Sequence, residues 1–462
     1  MTIMPNGTEK DNSIFLCCSK FIKQFHINQI LRKANASKEK GIPVYNIFAF
    51  LLGIVFTGIN FYTLLDNYNE KISFGKDAVY RFLRKTNINW EMFMSYLSRG
   101  TIKEIDRLTS DERKSVLIID DSTYSCNRSK KVELLSRFYD HVERKCYKGF
   151  TLLSVGWSDG RTFIPVNFKL LGSGSDDNLL EQSHIKYDKR TLAAKRRLDA
   201  RTDKPSAALS MLRSIKGSEA QAKYVIYDSW YASPSFIRSV KESGYETIAR
   251  LKDHDKYRYL YRGEHLPISA IYGMNRKRRG KSKYLLSVTV GVRQKDATDT
   301  IPAKIIYIRD RSNRKKWIAL ITTDTSLTEE EVIQVYGKRW DIEPFHKMLK
   351  THLRLEKEFQ LRSYDAITAH ATIVMTRYVS LSVENRENKD LRSINEGFYA
   401  LCKELDDISF SFAFKMIISV FIRYLSEHIH FIKEQIDTAV ECFISCLPDN
   451  IRDKLRITVC ES

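Results

Sequence analysis

Cysteine is sparse and unpatterned in this chain. Its eight cysteines, Cys17, Cys18, Cys126, Cys146, Cys402, Cys442, Cys446 and Cys460, include no Cys-x2-Cys pair and no regular spacing. That excludes a disulfide framework or a thiolate zinc site as the organising element and predicts reduced thiols in a cytosolic compartment. Cys442 and Cys446, one helical turn apart, read as core residues. No His-Glu-x2-His segment occurs either, which removes the common zinc-hydrolase pattern.

Long apolar runs are lacking as well. The longest, "IPVYNIFAFLLGIVFTGINF", is interrupted by Pro43, Asn46 and Asn60. Its unbroken part is shorter than the roughly 18 residues a spanning helix requires, so it predicts a buried helix and no membrane partner. The opening "MTIMPNGTEKDNSIFLCCSKF" contains acids and no sufficient apolar stretch, so no secretory signal is expected. The chain contains no internal repeat or low-complexity tract.

Acidic residues are the scarcer charge: 56 against 76 basic ones, a formal net charge of +20. A surplus of that size draws polyanions and is the electrostatic footprint of a nucleic-acid-binding protein. Apolar content of 43% and charged content of 29% are ordinary for a folded chain. The length predicts about two to four domains.

Residues 1–110 read as helical, a DNA-binding region in this basic context. Within it, "SFGKDAVYRFLRK" (73–85) carries Lys76, Arg81, Arg84 and Lys85 and fits either a groove-binding helix or a plain amphipathic one. Strands begin near 115. "SVLIIDDST" is an apolar run ending in acids, and "GFTLLSVGWSDGRTFIPVNFKLL" reads as two strands joined at Asp159-Gly160. A basic linker (186–201), a helix (204–217), a buried strand ending at Asp228, a helix near Pro234 and a strand at 245–251 follow. Three strands, helix, strand, helix, strand is the order of a ribonuclease-H-like mixed α/β sheet still lacking its last helix.

That helix is delayed. Residues 252–315 read as a β insertion opened by "RKRRGKSK" (276–283), whose six basic residues of eight suit DNA phosphates; Arg276, Lys277, Arg278 and Arg279 lead it. After a strand at 316–324, Thr328 and Glu331 form a capping-box pattern at the start of the next helix. The core then runs from 111 to 251 and resumes over 316–380, and 381–462 reads as a helical C-terminal region suited to dimerisation, with apolar rows such as Met416, Val420, Phe421 and Leu425.

The segment "VYGKRWDIEPFHKMLK" (335–350) carries the chemistry. At about 100° per residue, Tyr336, Arg339, Glu343 and Lys350 share a stripe of roughly 60°, with Trp340 pointing elsewhere, toward the core. Pro344 should kink this helix, or make Glu343 the cap of a second one. His346, one turn on from Glu343, reads as a surface or DNA-facing side chain rather than a ligand. Glu343 alone would be an ordinary ion-pair partner of Arg339 or Lys347. Two strand ends supply further acids, Asp228 and either Asp120 or Asp121. Buried unpaired carboxylates are costly, and three hard oxygen donors suit Mg²⁺ or Mn²⁺.

The segment matches Tyr-x2-Arg-x3-Glu-x6-Lys and so resembles the YREK signature of the bacterial insertion-sequence transposases of the fourth family, which are DDE enzymes. Asp121-Ser122-Thr123 matches that family's first acid, and "YDSWY" its second. The resemblance covers about 115–380. It implies that Asp121, Asp228 and Glu343 bind two Mg²⁺ or Mn²⁺ ions, and that Arg339, Lys350 and Tyr336, with Lys347 beside them, hold phosphates. It further implies metal-dependent cleavage at terminal inverted repeats, joining of the freed 3′-OH ends to target DNA, a homodimer on paired double-stranded DNA ends, and a bacterial cytoplasm near the nucleoid. Some relatives cleave through a hairpin with a flipped base stacked on an aromatic, for which Trp230, Trp317 and several tyrosines are candidates. Two alternatives share the basic surface: a non-transposing nuclease of the same fold, and a catalytically inactive DNA-binding descendant.

Overall fold

A computed structural model describes residues 18–387, interrupted at 39, 59–60, 62–73, 110–112, 141–143, 279–281, 294–298, 311–312 and 314–315, with isolated positions between 394 and 444. Among the described residues, five α-helices come first: α1 (Ser19–Gln24), α2 (Ile27–Lys33), α3 (Val44–Gly53), α4 (Lys76–Leu83) and α5 (Trp90–Asp106). The strands are β1 (Val116–Ser125), β2 (Ser136–Asp140), β3 (Lys145–Ser158), β4 (Phe163–Leu171), β5 (Tyr224–Tyr227), β6 (Glu246–Leu251), β7 (Tyr259–Tyr261), β8 (Glu264–Leu266), β9 (Leu286–Val292), β10 (Ile301–Arg309) and β11 (Trp317–Thr322). Between them lie α6 (Leu192–Asp199), α7 (Lys204–Ile215), α8 (Pro234–Glu242) and α9 (Ile268–Met274). After β11 come α10 (Glu329–Gly337), α11 (Ile342–Thr351) and α12 (Tyr364–Glu387).

β1 is central because its first four residues, Val116 to Ile119, are apolar and buried, as a strand covered on both faces must be. It pairs antiparallel with β3 along its full length and parallel with β5 over Val116–Ile118 only. β4 flanks β3, and β6 runs parallel to β5. The order β4–β3–β1–β5–β6 is the ribonuclease-H-like sheet that the sequence order predicts. The strands expected from 252 to 315 are present as β9 and β10, joined by β7, β8 and α9. They continue the same sheet, because β11 pairs antiparallel with β6 and β10 with β11.

The basic linker expected at 186–201 contains a helix, α6. Thr191 caps its N-terminus, and Arg197 is buried between Glu133 (2.6 Å) and Asp365 (2.7 Å). The partners that turn this arginine inward lie far away in sequence, which is why a local charge run reads as solvated. In α4, Val79, Phe82 and Leu83 are buried while Lys76 and Arg81, and Arg84 just past its end, stay exposed. Of the apolar rows expected near the C-terminus, Val420 and Phe421 are helical and exposed, and Met416 and Leu425 lie outside the described residues. Among the described residues, no helix is long and apolar enough to cross a membrane.

α11 is seated on the sheet through rings. Phe345 packs on Phe163 at 4.9 Å and on Tyr378 at 4.8 Å. Phe163 in turn occupies the space beside Gly156, where an added Cβ would fall 2.0 Å from the ring. Gly156→Ala must therefore push Phe163 toward α11. Thermal or urea unfolding should show a loss of about 1–3 kcal/mol, the usual size of overpacking, and an unchanged midpoint would refute this account.

Candidate functional site

Register decides which acids meet. β1 and β5 pair Val116 with Tyr224, Leu117 with Val225 and Ile118 with Ile226. Paired residues of adjacent strands point to the same face, and successive residues alternate. Carried two residues on, this register sets Asp120 level with Asp228 and on its side of the sheet, while Asp121 projects from the opposite side. β5 ends at Tyr227, so Asp228 is the first residue past that strand, level with Asp120 in the middle of β1, at the point where β1 runs on without β5 beside it.

The electrostatics agree. Burial pushes the Asp120 carboxyl up to about 7, and the neighbouring charges of Asp121 and Asp228 add to the rise. The Asp121 N–H, which donates to Asp120 Oδ1 at 2.9 Å, and Arg339 act in the other direction. A carboxyl so placed gains from any cation that arrives. Asp121 is already partnered: Lys204 donates to its Oδ2 at 2.7 Å and the Tyr231 hydroxyl to its Oδ1 at 2.8 Å. Burial, and then the Asp121 charge, hold the Tyr231 phenol well above its usual range, so it stays a donor. Asp228 accepts from the Trp230 N–H at 2.8 Å. Lys204 also lies 4.6 Å from the centre of the exposed Trp230 ring.

The third acid arrives on a broken helix. α10 begins with the predicted capping box of Thr328 and Glu331 and ends at Gly337; a 3-10 turn, Lys338–Asp341, leads into α11. The break precedes Pro344, which therefore falls in the first turn of α11, where its missing N–H has no intrahelical partner to lose. Glu343 keeps its place opposite the arginine. Arg339 Nη2 donates to Glu343 Oε1 at 3.0 Å, and Arg339 Nη1 lies 3.9 Å from Asp120 Oδ2. One guanidinium thus faces both carboxylates. Burial raises the Tyr336 phenol; it stands within the fields of Arg339, Arg250 and Asp228. Lys350 donates to the Thr123 hydroxyl at 2.8 Å, and Lys347 is exposed.

Two side chains of this segment lie elsewhere than expected. Trp340 is 60% exposed and stacks against Arg339 at 4.6 Å instead of entering the core, because the 3-10 turn rotates it away from the α-helical position. His346 is buried, 3.3 Å from Ser154 Oγ, instead of facing solvent. Burial and then Lys350 push its pKa down to about 3, so it is neutral. Trp317, half-buried, lies between Tyr272 and Tyr307, each 5.1 Å away.

On the basic loop, Arg276 is exposed, Lys277 lies over Tyr272 (4.7 Å) and Arg278 over Tyr284 (4.3 Å). Arg279 lies outside the described residues. Among the described residues, no three His, Cys, Asp or Glu side chains converge closely enough to hold a metal ion together. By donor type Asp120, Asp228 and Glu343 fit a divalent cation: all three offer hard carboxylate oxygens, and burial, with the charges of Asp121 and Asp228, makes Asp120 resist ionisation. For all three to share an ion, Glu343 must leave Arg339.

Sequence reasoning leaves Asp120 and Asp121 open on the residues alone. Lys204 and Tyr231 carry no local signal that they meet Asp121. A family model described as DDE superfamily endonuclease matches residues 57–315, more than half of the chain, taking in Asp120, Asp121 and Asp228 and stopping before Glu343. No curated protein matches the chain.

Proposed function

The chain belongs to the DDE superfamily endonucleases, and from that membership we propose that it is a DNA transposase that cleaves the terminal inverted repeats of an insertion sequence and joins the freed 3′-OH ends to target DNA. The observation that carries the reading is the register that sets Asp120, midway along β1, level with Asp228 just past the end of β5, with Arg339 and Glu343 across from them. The net charge of +20 supplies the attraction for DNA.

In this proposal Asp120, Asp228 and Glu343 hold Mg²⁺ or Mn²⁺, two ions per site. When bound, such ions supply Lewis-acid stabilisation of the charge on a reacting phosphate. Asp120 replaces Asp121 as the first ligand, since the oxygens of Asp121 are engaged by Lys204 and Tyr231. Asp121 keeps the strand end in place by holding those two residues. Arg339 can exchange its carboxylate partners for a phosphate and so release Glu343. Tyr336, Lys347 and Lys350 line the approach, and Arg276, Lys277, Arg278 and Arg279 contact the backbone farther along the duplex. Two ends must be cut together, so the acting form is a homodimer on paired DNA ends in a bacterial cytoplasm.

The test is Mg²⁺-dependent cleavage of a duplex carrying the inverted repeats that flank the coding sequence, with the purified full chain. The wild type should nick at the repeat ends. Asp228→Asn should lose cleavage while retaining the band shift on the same DNA. Cleavage by Asp228→Asn at the wild-type rate would remove the proposed site, and failure to prefer the repeats over random duplex would leave a nuclease rather than a transposase.

A further inference from the structure

The short 3-10 turn that carries Arg339 is held at both ends by one corner of the sheet. Its last residue, Asp341, accepts from the Ser158 hydroxyl at 2.6 Å, and the same Ser158 oxygen accepts the Gly160 N–H at 2.9 Å. Its first residue, Lys338, sends its ammonium to the Asp159 carbonyl at 3.1 Å and also to the Lys114 carbonyl. The Lys338 stem lies against Gly160, where an added Cβ would come 3.0 Å from Cε; φ there is +88°, which favours glycine independently of space.

The corner is itself fixed from behind. Asp159 is buried, and its Oδ1 accepts the N–H groups of Arg161 (2.8 Å) and Thr162 (2.7 Å). Its Oδ2 accepts from Thr109 and from Arg386 of α12, both at 3.0 Å, with Arg113 at 3.8 Å. These partners belong to the segment after α5, to α12 and to the approach to β1. The linker between α5 and β1 and the helix α12 therefore converge on this turn, and the turn grips the two residues flanking Arg339 and Trp340.

A lysine spent on two carbonyls is unavailable to a phosphate. Lys338 sits in the most basic part of the motif, yet it is directed backward into the protein and half buried. Desolving an ammonium is costly, and the cost is offset only where its hydrogen bonds fix something.

We infer that the Ser158–Gly160 corner is a positioning clamp for the reaction: Ser158 and Asp159 hold Asp341 and Lys338, and so fix the turn that presents Arg339 and Glu343 to Asp120. Lys338 and Asp341 are positioning residues, not ligands or phosphate contacts. The clamp explains why the helix breaks at 338–341 instead of at Pro344: the break lies where both ends are tied to the corner. The catalytic part of this inference rests on the nuclease reading above; the conformational part does not.

The test is hydrogen–deuterium exchange on the full-length protein, followed peptide by peptide, with Asp341→Ala, Asp341→Asn and Lys338→Met. Asn retains an oxygen that can accept from Ser158. Asp341→Ala and Lys338→Met should speed exchange in peptides covering 336–346 by about fivefold to tenfold, the worth of one hydrogen bond, with other peptides unchanged. Asp341→Asn should restore slow exchange. On cleavable DNA, kcat should fall in Asp341→Ala and Lys338→Met with KM retained, and recover in Asp341→Asn. Unchanged exchange over 336–346, a uniform rise across the whole protein, or local loosening with an undiminished kcat would each overturn the clamp. A wild type that exchanges as expected but never cleaves DNA would defeat the nuclease reading and leave the exchange result to decide the clamp.

Discussion

Asp120→Asn should lower the rate of metal-dependent DNA cleavage on the order of 10³-fold, the size of effect reached when one preorganised charge at a reacting centre is removed, and Asp121→Asn should lower it by no more than about tenfold. The contrast follows from register, since neighbours on one strand face opposite sides and only Asp120 shares a side with Asp228. Asparagine at 121 still accepts from Tyr231 and forfeits only the ion pair with Lys204, a partly exposed contact of the kind worth at most about 1 kcal/mol. A second measurement separates the two acids without turnover. Mn²⁺ titration by calorimetry should show weakened binding in Asp120→Asn and near-normal binding in Asp121→Asn. The reverse order in both assays would return the first-ligand role to Asp121 and refute the register argument.

The same pair shows where the sequence is legible and where it is not. The strand ending in acids is plain from "SVLIIDDST", and its buried partner from "AKYVIYDSW", because each is an apolar run bounded by polar residues. The phase between them is not. A strand buried on both faces has no alternation of apolar and polar residues, so nothing local says whether Asp120 or Asp121 shares the side of Asp228. The motif's Asp-Ser-Thr pattern selects Asp121, but the hydrogen bonds to Lys204 and Tyr231 exist only once α7 and the loop after β5 are in place.

Helical arithmetic fares better. The stripe of Tyr336, Arg339 and Glu343 survives because the 3-10 turn is only four residues long and α11 resumes at once. That short turn is enough to swing Trp340 outward and to bury His346. Both side chains are one step from the stripe, where a small change of helical phase exchanges core for solvent. The capping box at Thr328 is legible outright, since both of its partners lie within four residues. The buried arginines are the opposite case. Arg197 and Arg377 look like surface charge until residues more than ten positions away close around them.

Arg377→Met should cost about 3–5 kcal/mol of stability, the penalty for leaving a buried carboxylate without its cation. Arg377 is fully buried in α12 and donates to Glu358 through both terminal nitrogens, at 2.9 and 3.0 Å; it also donates to the carbonyls of Leu353, Leu52 and Leu51. It therefore joins α3 to α12 and to the loop after α11. Burial alone would raise the Glu358 carboxyl; Arg377 and then His370, whose Nε2 lies 2.8 Å away, overcome it and hold Glu358 below its usual range. The sign of the pH dependence follows. In the wild type Glu358 adds stability above its unfolded pKa of about 4.3, and that contribution fades as pH falls. In Arg377→Met the native carboxyl is raised instead, so the variant suffers most at neutral pH, and the gap to wild type should narrow as pH falls toward about 4. Glu358→Gln in the same background should recover part of the loss, since it removes the stranded charge. Urea unfolding at pH 7 and pH 5 reads the wild type and both variants. A gap that does not narrow, or a double variant less stable than Arg377→Met alone, would mean that the arginine acts through its carbonyl bonds and packing rather than as the counter-charge of Glu358.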